Sequence, residues 1–345
     1  MIDAVRLATL ALIAGCGGHT AVRDAPDSPT PSDTAVATDW DTVTVLANHG
    51  TYLVERVVYH AGGLAIVGQV CRPSASGPHP VIVFDHGGFS GLGAEWDGAL
   101  CAGAANGYVI AMSSYRGEDG SEGSVEVCLG EVDDALAMMS IVRAKPYADT
   151  AHVGLLGGSH GGCILLRSLA RGADVVAAAD LFGVTDWAAA DTFWHGQLTT
   201  GTHPELASVY QSLIATVEGA AGGTPASAPA AYAARSPISA PLATPAPLWI
   251  GHGVDDLLVP ASGSCGLAGA AGGVTSLHVT DVNGTVTQAA PPGCAALAWS
   301  AGPLPRPAWP ASRYLVEYDG AGHALANPVE QEMEGDALAF LVARL

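Results

Sequence analysis

Three side chains scattered along the 345 residues have the types needed to activate a hydroxyl. The first is Ser159, in the run Gly157-Gly158-Ser159-His160-Gly161. This satisfies G-x-S-x-G, the pattern of a nucleophile held on a sharp strand-to-helix turn. A hydroxyl is a poor nucleophile until a neighbouring base takes its proton. Downstream lie a carboxylate, Asp256 in "GHGVDDLLVP", and an imidazole, His323 in "YDGAGHAL". The order serine, acid, histidine is the one this turn uses when the three act together. Asp255 is a rival for the acid. Charge developing on an attacked carbonyl needs N–H donors, each worth about 3–4 kcal/mol. The backbone N–H of His160 is one candidate. The loop "HGGFSGLG", from His86, offers Gly87, Gly88 or Phe89 as the other, with Gly88 favoured because glycine lets backbone approach a substrate closely. Phe89, Tyr115 and Trp187 are the candidates for lining a substrate pocket.

With 44 glycines in the chain, the motif alone decides nothing. The elements around it do. The apolar run "HVGLLGG" predicts a buried strand entering the turn, and "HGGCILLRSLARGA" predicts a helix leaving it. "YLVERVVYH" and "LAIVGQVCR", joined by Ala61-Gly62-Gly63, predict a hairpin. "PVIVFDH", "YVIAMSSYRG", "VVAAADLFG", "APLWIGHG" and "RYLVEYDG" predict further strands. "EWDGALCAGAANG" predicts a helix ending at Gly107, "EVCLGEVDDALAMMSIVRAK" one that stops before Pro146, and Pro328 to Leu345 the last. Such alternation implies an α/β protein whose mostly parallel sheet is covered by helices on both faces. The two other carriers of chemistry then follow strands, where loops at a sheet's carboxyl edge converge. Two segments break the alternation. Residues 185–246 read as a small helical cap, with Trp187, Phe193 and Trp194 near its start. Residues 261–310 read as a Gly-, Ala- and Pro-rich insertion that holds Cys265 and Cys294.

Composition narrows the class. Apolar residues make up 49% and charged residues 13%, as in a globular chain. Thirteen basic and 33 acidic residues leave a net charge of −20, which excludes nucleic acid as a partner through phosphate repulsion. No H-E-x-x-H and no C-x-x-C pair occurs, so neither a metal nor another cofactor is expected. "MIDAVRLATLALIAGCGG" has an apolar run too short to span a bilayer and suits a signal segment. "IAGC" resembles a bacterial lipobox, with Cys16 as the lipidated residue; an ordinary secretory signal is the alternative. The expected organisation is a lipoprotein signal over 1–16, a flexible linker over 17–45 and a catalytic domain over 46–345. The expected location is outside the cytoplasm, on the outer membrane, with the lipid as the sole membrane contact. Export permits disulfides. Six cysteines beyond Cys16 allow 15 pairings. Cys265–Cys294 is the favoured pair, and Cys163 reads as a buried helix residue.

Taken together, "DTAHVGLLGGSHGG", "SSYRGEDGSEG", "EVDDALAMM", "YAARSPI" and "HGVDDLLVP" resemble the catalytic domain of the prolyl oligopeptidase family, within the α/β-hydrolase superfamily. Dienelactone hydrolases are related. The resemblance spans about residues 50–345. It implies Ser159 as nucleophile, Asp256 as acid and His323 as base. Where that family can place an oxyanion-binding tyrosine, this chain has His86, so a backbone donor is expected. With only about 10–40 residues ahead of the domain, the family's β-propeller is not expected. His323 lies 67 residues after Asp256, a longer gap than the family's. The expected activity is hydrolysis of a small peptide or ester through an acyl-enzyme. The alternatives are a carboxylesterase and a non-catalytic surface lipoprotein.

Overall fold

Period-two alternation in the strands decides which side chain enters which layer. The computed structural model describes residues 39–92, 100–240, 242 and 244–345. The expected signal segment, with Cys16, and most of the expected linker lie outside the described residues. The described part begins with strands β1 (Thr42–Asn48), β2 (Tyr52–Ala61), β3 (Leu64–Pro73), β4 (His79–Asp85) and β5 (Val109–Ser113). Next come helix α1 (Glu131–Arg143), strand β6 (Ala148–Gly158), helix α2 (His160–Ala170) and strand β7 (Ala177–Leu181). Helices α3 (Trp187–Thr200), α4 (Ala207–Ala221) and α5 (Pro229–Arg235) form the cap. Strand β8 (Leu248–Gly253), helix α6 (Ser262–Ala271), strands β9 (Thr275–Val279), β10 (Val286–Thr287) and β11 (Arg313–Tyr318), and helix α7 (Pro328–Val342) complete the fold.

The strands make one sheet in the order β1-β2-β3-β5-β4-β6-β7-β8-β11-β9-β10. The run from β5 to β9 is parallel. Val81, Val83, Leu155, Ala178, Leu248, Ile250 and Leu315 face one way and pack with α1, α2 and α6. Their neighbours Ile82, Phe84, Leu156, Ala177, Trp249, Tyr314 and Val316 face the other way, onto α7. The parallel sheet is therefore covered on both sides, as its unbroken apolar runs require. This is the α/β-hydrolase fold.

The structure departs from expectation in several places. Strand β1 starts inside the stretch read as linker, because Thr42–Asn48 completes an antiparallel ladder with β2. The helix expected to end at Gly107 is, in its described part, a 3-10 turn over Cys101–Asn106, closed by Gly107 at φ 93°. Helix α1 begins only at Glu131, since Val127 and Cys128 both take positive φ. The insertion is also more than a loop: its β9 joins the sheet parallel to β11. Cys265 and Cys294 form a disulfide. Cys163 is buried in α2 but is also bonded to Cys128, and Cys71 pairs with Cys101. Among the described residues no helix is long and apolar enough to cross a membrane.

Candidate active site

The loops after β4, β6, β7, β8 and β11 carry the candidate residues to one edge of the sheet. Ser159 sits between β6 and α2 at φ 56°, ψ −124°, a conformation an L-residue adopts only when its surroundings impose it. They do so by close packing. A Cβ on Gly161 would lie 1.9 Å from the Asp85 carbonyl oxygen, and one on Gly157 would lie 2.7 Å from the Gly161 oxygen. The Ser159 N–H donates to the Leu181 carbonyl, which ties the turn to the end of β7.

His323 bridges the other two candidates. Its Nδ1 donates to Asp256 Oδ2 (2.7 Å), which leaves Nε2 to accept the Ser159 hydroxyl (2.9 Å). Asp256 is buried, and its Oδ1 accepts the N–H groups of Leu258 and Val259, each at 2.8 Å. Burial pushes this carboxyl up, but His323 and His252 outweigh burial and hold it well below the usual carboxylate range. Asp255, the rival, faces elsewhere: its carboxylate accepts the Gly320 N–H (2.9 Å) and its N–H donates to the Ala321 carbonyl. It shapes the loop that carries His323.

His160 contributes more than the backbone expected of it. Its Nε2 accepts the Cys128 N–H (2.9 Å), so Nδ1 carries the proton and donates to the Gly88 carbonyl (3.0 Å). Burial, with His86 adding to it, lowers the imidazole to about 3, so the ring stays neutral. As the first residue of α2, His160 also has a main-chain N–H with no intrahelical acceptor. Gly88 itself adopts φ 76° and is exposed.

Residues 62–235, half of the chain, match the X-Pro dipeptidyl-peptidase (S15 family) profile. The chain belongs to this peptidase family. It is a serine hydrolase with the α/β-hydrolase fold. A Bacillus subtilis protein described as an uncharacterized peptidase, YtmA, is 24% identical over 201 residues, 58% of this chain and 72% of that protein. Among solved structures, an acylaminoacyl peptidase bound to Z-Gly-Gly-Phe-chloromethyl ketone superposes with a TM-score of 0.57 at 18% identity. It is covered over 83% of this chain and 40% of its own length. Porphyromonas gingivalis dipeptidyl peptidase 4 gives 0.57 at 19% identity, covering 86% of this chain and 36% of its own. The chain thus spans about two-fifths of these structures, and at such identity the likeness is one of fold.

In this S15-family chain the pocket candidates separate. Phe89 is partly exposed and its ring lies 4.7 Å from that of His160. Tyr115 and Trp187 are buried and line no open surface. The Tyr115 hydroxyl donates to Asp85 (3.3 Å) and the Trp187 Nε1–H to Cys163 (3.2 Å). Both support the wall from behind. Several supporting roles escaped the sequence reading. Phe182, at φ 45°, packs its ring 4.7 Å from His323. Trp194 and Tyr210, from α3 and α4, donate to the carbonyls of Leu258 (2.7 Å) and Leu257 (2.9 Å) and clamp the Asp256 loop. Contacts spanning 64 and 47 residues leave no local signal. Glu330 accepts from Gly322 (2.9 Å) and from Ala326 and Asn327, so both ends of the His323 loop hang on α7. Its signal was legible: Asn327 with Glu330 is a capping box. Asp191, His195 and Glu218 bring ligand-type atoms within 4.8 Å of one another on the cap, but there the imidazole pairs with both carboxylates.

Proposed function

We propose that this chain is an exported serine peptidase that works through an acyl-enzyme on Ser159. The hydrogen-bonded run from Ser159 Oγ through His323 to Asp256 carries the reading. His323 Nε2 takes the hydroxyl proton as Oγ attacks the scissile carbonyl. The carbonyl oxygen gains the negative charge, facing the N–H of His160 and a donor from the Gly88 loop. His323 then gives its proton to the leaving amine, and the C–N bond breaks. Water, deprotonated by the same imidazole, attacks the acyl-enzyme, releases the acid and restores Ser159. Asp256 stays ionised throughout and holds the imidazole in the tautomer that accepts at Nε2.

Peptide rather than ester specificity rests on the S15 family match, and X-Pro peptides are the first substrates to try. Export rests on the lipobox-like "IAGC" around Cys16, and three disulfides suit an oxidising compartment. A fluorophosphonate probe should label Ser159 in the folded protein, and X-Pro nitroanilides should be hydrolysed. Folded protein without an adduct would end the triad reading. Turnover of p-nitrophenyl acyl esters alone would make the protein a carboxylesterase.

A further inference from the structure

Asp256 has a second imidazole. His252, at the end of β8, is fully buried, and its Nε2 lies 3.3 Å from Asp256 Oδ2, the same oxygen that His323 Nδ1 holds. The Val259 carbonyl stands 3.0 Å from that nitrogen. A carboxylate oxygen and a carbonyl can only accept, so Nε2 carries a proton. Nδ1 lies 2.7 Å from the Ser264 hydroxyl of α6. A hydroxyl accepts as readily as it donates, so both ring nitrogens can be protonated at once.

We propose that His252 is a positioning residue for the triad, a buried cation behind Asp256 that shares its carboxylate with His323 and so moves the acid limb of catalysis to lower pH. The inference rests on the triad reading above.

Three carboxyl groups surround His252, and the ionised Asp256 is the one that chiefly favours its charge. Besides Asp256, Glu317 of β11 is its direct partner in the strand register, and Asp180 of β7 acts on it from the other side. Ser264 closes α6's side, beside the Cys265–Cys294 disulfide whose Cys265 sulfur is 3.6 Å from Glu317. Burial lowers the imidazole's proton affinity, but Asp256 and then Glu317 outweigh burial and raise it to about 9. Burial raises Glu317 to about 8 and Asp180 to about 7. Asp256, held low, is then the carboxylate that is ionised beside two imidazoles. A proton arriving on His323 meets a cation across one carboxylate. That repulsion, at an effective dielectric appropriate to buried groups, displaces the acid limb by on the order of one pH unit.

His252→Gln keeps a donor and removes the charge. Its kcat/KM profile should have an acid limb about one pH unit higher than that of the unchanged enzyme. The two profiles should run together above about pH 9, where His252 itself loses its proton. A uniform drop at every pH would mean a structural role only and would overturn the proposal, as would coincident limbs. If that variant does not fold, 15N-histidine NMR of the unchanged protein decides, with Ser264→Ala identifying the His252 signals. An imidazolium spectrum at pH 7 supports the proposal, and a neutral ring overturns it. Fluorophosphonate labelling separates the two ideas. No adduct at Ser159 removes the triad reading; an adduct with an unmoved limb removes only the role of His252.

Discussion

At the scale of residues, two neighbouring aspartates divide one task. Asp256 meets His323, whereas Asp255 holds the backbone of Gly320 and Ala321 and so aims the loop. Asp256→Asn should lower kcat about 10⁴-fold, because the amide favours the wrong imidazole tautomer. Asp255→Asn should cost much less, since its partner is a backbone N–H that an amide oxygen also satisfies. Ser159→Ala should remove about 10⁶-fold of turnover if the three residues act as a unit. Steady-state rates on a common substrate compare all three variants. Equal losses for the two asparagine variants would dissolve the distinction between the aspartates.

At the scale of elements, the Ser159 turn and the Gly88 loop are joined by a strut. The Cys128–Cys163 disulfide fixes the loop before α1 to α2, Cys128 donates to His160, and His160 holds the Gly88 carbonyl. The disulfide closes 35 residues, so Cys128→Ser with Cys163→Ser should cost about 4 kcal/mol of stability by loop entropy. It should also lower kcat more than it raises KM, because the Gly88 loop, proposed to hold the oxyanion, loses its anchor. Denaturant unfolding and steady-state kinetics on the double variant check both. A stability loss with unchanged kcat would show that the strut carries no part of the chemistry. The cap is a second brace, since Trp194 and Tyr210 grip the Asp256 loop from above.

At the scale of the whole molecule, the balance of acids dominates. Burial raises Asp85, Asp180 and Glu334 to about 7 and Glu317 to about 8. Each of these binds its proton more tightly folded than unfolded. The stability they contribute is therefore full below the unfolded carboxyl range and is lost as pH rises through 7 to 8. His252, raised to about 9, acts with the same sign, its contribution fading from about pH 6.5 to 9. The net charge of −20 adds self-repulsion as these groups ionise. Tm should fall by several degrees, at about 2–4 °C per kcal/mol, between pH 6 and pH 9. Differential scanning fluorimetry at constant ionic strength measures it. A Tm that rises over this range would show that the buried carboxyls are ionised already at pH 6.

Much of this was legible in the chain. Short continuous apolar runs marked the central strands, the G-x-S-x-G turn marked Ser159, and chain order marked Asp256 and His323. These are local patterns, and local backbone geometry enforces them. The insertion hid β9 because "TSLHV" is five residues long among glycine, alanine and proline. Tyr115 and Trp187 have the composition of pocket residues, yet they are core. Only their packing with α2 and the cap helices determines which face of an aromatic meets solvent. The cysteine pairs and the clamps from Trp194, Tyr210 and Phe182 likewise depend on which elements become neighbours. The second imidazole on Asp256 shows the boundary between the two. Sequence alone placed His252 four residues before Asp256, but only the tertiary structure put Glu317, Asp180 and Ser264 around it. A buried charge is set by everything that surrounds it, and that is decided when distant strands are brought side by side.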